Sequence, residues 1–75
     1  MDKVGIKLAV YTEDKHWELM FAIFVCPENE KLVRSRIGDY DEDKQGCWIV
    51  FAADNARRIH VFTDKYFNKN FTIVK

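Results

Sequence analysis

Residues 4 to 12 alternate in character. Val4, Ile6, Leu8 and Val10 form one series, and Gly5, Lys7, Ala9 and Tyr11 fall between them. A period of two predicts a strand with one buried face. A second alternating run covers residues 17 to 26, with Trp17, Leu19, Phe21, Ile23 and Val25 on one side. The polar stretch Glu13-Asp14-Lys15-His16 between the runs reads as a turn. Closing it sets Val10 opposite Leu19, Leu8 opposite Phe21, Ile6 opposite Ile23 and Val4 opposite Val25. Every pair on that face is apolar, and a slip of one residue would destroy the match, so the register is strongly specified. A helix over 13–25 capped by Thr12 is the competing reading. It would be apolar all round from Leu19 to Cys26, where β-branched and aromatic residues dominate, so the strand is preferred.

Pro27 cannot donate to a ladder and ends the second strand. Residues 31–37 read as an edge strand, with Val33, Ser35 and Ile37 inward and Arg34 and Arg36 outward; a short helix over 28–37 is the alternative. Gly38 to Gly46 is an acidic loop. Cys47 to Ala52 is a continuous apolar run, the mark of a central strand. A turn at Ala53-Asp54-Asn55-Ala56 leads to a β-forming run from Arg57 to Thr63. A two-residue turn at Asp54-Asn55 pairs Val50 with Ile59 and Trp48 with Val61. A helix over about 55–67, with Ile59, Phe62 and Tyr66 on one face, competes. Residues 64–70 read as a loop carrying Tyr66 and Phe67, and Phe71 to Val74 as a last strand.

The expected fold class is mainly β: an antiparallel meander of five to six short strands forming a small barrel or curled sheet. The alternative is α+β with one helix at about 28–37 or 55–67. The second strand also carries Met20, Phe24 and Cys26 opposite its core face, so both faces need cover from barrel closure, a helix or a second subunit.

Length and composition narrow the picture. The 75 residues make one small domain, 1–75, with a thin stability margin. Hydrophobic residues make up 48% and aromatics 15%, enough for a real core rather than disorder. No apolar run reaches the ~18 residues of a membrane span, and no signal-peptide pattern opens the chain. A cytoplasmic protein with reduced thiols is the expectation.

Site chemistry is sparse. The histidines are His16 and His60 and the cysteines Cys26 and Cys47. The paired register places His60 opposite Ile49, two residues from Cys47, which is thin support for a thiol nucleophile. Zinc spacing is absent, and His16 and Cys26 lie at opposite ends of one strand. Asp39, Asp41 and Asp43 alternate like calcium-loop ligands, but Lys44 stands where the loop needs glycine and Val50 where it needs an acid. Ser35 is the one serine, and no phosphate-cradling glycine loop exists. The reading is therefore non-enzymatic, with no catalytic residue, no metal and no cofactor.

Charge is zero overall but uneven. Residues 1–55 hold seven Lys/Arg against eleven Asp/Glu, and residues 56–75 hold five against one. Two surface sets stand out. Asp39, Tyr40, Asp41, Glu42 and Asp43, with Arg34 and Arg36 as a second patch, suit contact with another protein. Arg57, Arg58, Lys65, Tyr66, Phe67 and Lys69, with His60 near them, suit single-stranded nucleic acid, where cations meet phosphates and rings stack on bases. The chain lacks the aromatic motifs of an RNA-recognition sheet and the glycine pattern of a cold-shock barrel. The expected function is a protein–protein interaction module, a small inhibitor or modulator acting through the acidic loop. A nucleic-acid-binding β-barrel is the alternative, and a homodimer a third, weaker expectation; no membrane role is expected.

Overall fold

The computed structural model of the chain describes residues 3–12, 19–52 and 59–74. Five strands run through it: β1 (Lys7–Tyr11), β2 (Met20–Phe24), β3 (Cys47–Ala52), β4 (Ile59–Thr63) and β5 (Phe71–Val74). Two short helices join them: α1 (Glu30–Ile37) between β2 and β3, and α2 (Asp64–Asn70) between β4 and β5. All strand pairs are antiparallel, in the order β4-β3-β2-β1-β5. The first four strands form a meander. The fifth departs from it, crossing through α2 to pair with β1 at the far edge.

The β1–β2 register is the one that the alternation specifies, with Lys7 opposite Ala22, Leu8 opposite Phe21 and Ala9 opposite Met20. The turn expected at 13–16 lies outside the described residues. The β3–β4 register differs by one from expectation: Val50 faces His60 and Trp48 faces Phe62. This alignment sends Phe62 to the same face as Trp48 and sets Ile59 opposite Phe51 on the other. The turn expected at Asp54-Asn55 falls outside the described residues.

Residues 31–37 are helical, and the edge strand expected there does not exist. Leu32, Val33 and Ile37 pack on the sheet together, at a spacing that only a helix presents on one side. Pro27 opens a 3-10 turn, Pro27–Asn29, that leads into α1. Glu30 stands in the first turn of α1 and Arg34 and Arg36 in the last, the polarity that the helix dipole favours. Gly38 then stops the helix with φ 73°, its N–H donating to the Arg34 carbonyl at 2.9 Å; that backbone conformation suits glycine.

Residues 64–70 form α2 rather than a loop. Thr63 caps it, its Oγ1 accepting from the Tyr66 N–H at 3.2 Å. A helix this short does not stand alone; it holds because Phe67 is buried in the core. The other expected helix, over 55–67, is displaced from Ile59 to Thr63 by β4.

The two-sided hydrophobicity of the sheet is met by a helix on each face. On the α1 side Ile23, Val25, Val33, Ile49 and Phe51 form one buried cluster. On the α2 side Ala9, Ala22, Trp48, Val50, Phe67 and Phe71 form another, with Met20, Phe24 and Phe62 packed against it. The sheet curls around this second cluster. Phe62 of β4 and Phe71 of β5 come from opposite edges, yet their ring centroids are 5.4 Å apart. A flat sheet would hold those edges four strand spacings apart, about 19 Å.

One expectation about burial holds only in part. The apolar series Val4, Ile6, Leu8 and Val10 was expected to face a core; Val10 is buried, but Val4, Ile6 and Leu8 are exposed, as is Leu19. The fully buried residue of β1 is Ala9, on the opposite face. The cause is the reach of α1, which packs on β2 and β3 and leaves the β1–β5 side of that face open. Leu8 (39% exposed) and its β5 neighbour Val74 (41%) form the open strip.

Candidate interaction surfaces

The acidic loop is anchored by one arginine. Arg34 reaches back one helical turn, its Nε donating to Glu30 Oε1 at 3.0 Å, and forward past the helix end, its Nη1 donating to Asp39 Oδ1 at 2.6 Å. Its guanidinium also lies 5.3 Å from the centre of the Tyr40 ring. Glu30 and then Asp39 hold the guanidinium firmly in its charged form. Tyr40 is half-buried against the α1-side core, and its hydroxyl accepts from Gln45 Nε2 at 3.5 Å. A shallow cleft of about 190 Å³ lies here, lined by Pro27, Glu30, Arg34, Tyr40, Glu42 and Gln45. Asp43 makes only a long 3.9 Å contact with Lys44. Asp41 and Glu42 are exposed.

Arg34 therefore belongs to the acidic patch itself, not to a strand edge beside it. Arg36 is separate: its guanidinium lies over the Phe51 ring at 4.9 Å, closing the α1-side core with its stem and charge. Asp39, Asp41 and Asp43 do not form a metal centre, because Asp39 is taken by Arg34. Among the described residues no group of three or more His, Cys, Asp or Glu is placed to hold an ion.

The basic–aromatic set is divided by the structure. Phe67 is 1% exposed, with Trp48 stacked on it at 4.1 Å and Phe71 stacked at 5.1 Å. With Trp48 and Phe71 stacked on it and no exposure left, Phe67 cannot receive a base and is removed from the candidate set. Arg57 and Arg58 lie outside the described residues. Tyr66 remains, 43% exposed, flanked in sequence by exposed Lys65 and followed three residues on by exposed Lys69. Tyr66 stacks on Phe62 at 4.9 Å and 10°, and Phe62 on His60 at 6.0 Å and 20°. This column of three rings was not legible in advance. Phe62 and Tyr66 have helical spacing in the sequence, whereas here one lies on a strand and the other on the helix that follows.

The cysteine–histidine diagonal does not form. Cys47 pairs with Thr63 and Val50 with His60, so alternation points Cys47 and His60 to opposite faces. Burial pushes the Cys26 thiol up from its ordinary value; Glu28 adds to this, and the Asn29 backbone N–H opposes it.

Asn29 is a buried polar residue that no sequence pattern marked. Its Nδ2 donates to the carbonyls of Lys3 at 2.9 Å and Phe24 at 2.8 Å, and its Oδ1 accepts from the Gly5 N–H at 2.8 Å. It ties the segment ahead of β1 to the end of β2. Both of its amide hydrogens and its oxygen are engaged within the fold, so its role is structural.

Charge differs between the faces. α1 and its loop carry Glu30, Asp39, Asp41, Glu42 and Asp43 together with Lys31, Arg34, Arg36 and Lys44. On the α2 side, the described cations are Lys3, Lys7, Lys65 and Lys69, and the one carboxylate is Asp64. That carboxylate is occupied by the Trp48 indole N–H at 2.8 Å and by Lys3 at 3.4 Å. Among the described residues no helix is long and apolar enough to cross a membrane.

The chain matches no protein-family model, no curated protein and no solved structure. The function must therefore be argued from the surfaces themselves.

Proposed function

We propose that this protein is a protein-binding module, a small inhibitor or modulator that contacts its partner through the acidic loop after α1. The observation that carries the reading is the triple engagement of Arg34 with Glu30, Asp39 and Tyr40. A loop of like charges repels itself and is costly to order on binding. Here the ordering is supplied within the fold, so Tyr40, Asp41 and Glu42 are held beside a cleft before a partner arrives. The partner surface that complements them is basic, and it meets the patch at a rate that charge attraction increases.

Affinity capture from a lysate of the source cell tests this. The bait is the folded chain, compared with Asp41→Lys/Glu42→Lys and with Tyr40→Ala. The expected result is one stoichiometric partner retained by the parent chain and lost by both variants at equal folded content. Retention unaffected by either variant would remove the loop from the interface and the reading with it.

A further inference from the structure

We infer that the α2 side of the molecule is a second, independent site, one that binds single-stranded nucleic acid on the ring column His60–Phe62–Tyr66. Such strands are held by two complementary features, rings for the bases and unpaired cations for the phosphates. Both occur together here, on the exposed rings of His60 and Tyr66.

The rings form a continuous column, near-parallel from β4 to α2, with centroid spacings of 6.0 and 4.9 Å. His60 and Tyr66, at its two ends, are exposed, and Phe62 between them is half-buried. Phe62 is braced from beneath by Phe71, so the column has a rigid base. Stacking on a fixed ring avoids the entropy cost of ordering a mobile one.

The cations surround it. Lys69 follows Tyr66 by three residues and so shares its side of α2, and Lys65 precedes it. Lys7 lies in the same cross-strand row as His60, through Ala22 and Val50. Lys7, Lys65 and Lys69 have no carboxylate partner among the described residues. The described carboxylate on this side, Asp64, accepts from the Trp48 indole N–H and is paired with Lys3. Among the described residues, a strand lying here meets these lysines with no carboxylate other than the occupied Asp64, while the acidic loop belongs to the helix on the other face. The exposed rings at the two ends of the column, His60 and Tyr66, offer faces to unpaired bases; a duplex, whose bases are stacked on one another, has none free to stack on protein.

The test is fluorescence anisotropy of labelled 15-nucleotide oligo-dT and oligo-U, with duplex DNA of equal length as comparison. Three lysine–phosphate contacts predict a log–log salt slope of about −2 for single strands. Affinity should thus fall roughly 20-fold between 50 and 200 mM salt. Tyr66→Ala should weaken binding by about 5- to 150-fold, the range for loss of one stacked base, and Tyr66→Phe should retain it. Lys65→Glu/Lys69→Glu, two exposed positions that leave the core untouched, should abolish it. Asp41→Lys/Glu42→Lys should leave oligonucleotide affinity intact or raise it, which separates this site from the acidic loop. Absence of binding at 50 mM salt overturns the inference. So does equal affinity for duplex with indifference to Tyr66→Ala, since that pattern is charge attraction without stacking.

Discussion

The indole Nε1 of Trp48 donates a hydrogen bond to Asp64 Oδ1 at 2.8 Å. Trp48 is fully buried on β3, and Asp64 is the first residue of α2. One carboxylate therefore satisfies a buried donor, sits at the positive end of a short helix and meets Lys3. It fixes α2 over the core at the point where the chain leaves β4.

Replacing Asp64 should be costly in a graded way. Asp64→Ala strands a buried N–H and should destabilise the fold by about 1–3 kcal/mol. Asp64→Asn keeps a carbonyl acceptor and should cost less. Urea unfolding followed by Trp48 fluorescence distinguishes the two; equal losses would mean that charge, not hydrogen bonding, dominates.

Acid should reveal the same contact. The Trp48 N–H, and after it Lys3 and Asn68, hold the Asp64 carboxyl below its ordinary value. A depressed carboxylate stabilises the fold fully above its unfolded value of about 3.9 and loses that contribution as pH falls through the lower folded value. The stability gap between parent and Asp64→Asn should be constant from pH 7 to about 5 and close below about 4. A gap that persists undiminished to pH 2 would contradict the assignment.

Asn29 offers a sharper contrast between near-isosteric changes. Asn29→Asp retains an acceptor for the Gly5 N–H but has no donor for the Lys3 and Phe24 carbonyls. It also brings a charge to a fully buried position. It should destabilise by at least the ~1–3 kcal/mol of an unsatisfied buried group, and by more at pH 7 than at pH 3, where the new side chain is neutral. Thermal unfolding at the two pH values measures this directly.

Cys26 should be a sluggish nucleophile. Its thiol is raised by burial first and by Glu28 as well, so little thiolate exists near neutrality. In a Cys47→Ser background, the midpoint of its alkylation pH–rate profile should lie higher in the native chain than in urea. A native midpoint at or below the unfolded one would show an activating environment instead.

Arg34→Ala should leave global stability nearly unchanged, because its ion pairs are exposed. The loop should respond more strongly. Amide hydrogen exchange from Gly38 to Asp41 should accelerate while exchange in β2 and β3 stays slow. Uniform acceleration across the sheet would assign Arg34 to the core.

Much of the sheet could be read from alternation, because a strand pair with one apolar face admits one register. Leu8 opposite Phe21 follows from the residues alone. The β3–β4 register slipped by one because Cys47 to Ala52 is apolar on both sides, so no alternation distinguishes His60 from Ile59 as the partner of Val50. α1 was misread because Val33, Ser35 and Ile37 also satisfy a period of two; the deciding signals were Pro27, the Glu30–Arg34 spacing and Gly38. α2 was missed because its residues are weak helix formers, and it exists through Thr63, Asp64 and Phe67. Of the two surfaces, the acidic run from Asp39 to Asp43 was legible as a run of charge, though Tyr40 within it is half-buried rather than exposed. The ring column was not, since it joins β4 to α2 through a turn that spacing does not encode. Phe67 looked like a binding ring only because its burial depends on Trp48 and Phe71, which are distant in sequence.

The pairing of β5 with β1 governs when the fold can form. Tyr11 meets Phe71, and Thr12 meets Thr72 across 60 positions of sequence. Contacts of such long range must close a large loop before they return any stabilisation, and they slow folding. On the ribosome, strands β1 to β4 emerge first and can pair in order, but their α2-side face stays uncovered until Phe67 and Phe71 are available. Completion of this sheet therefore waits on the last of its strands to be synthesised.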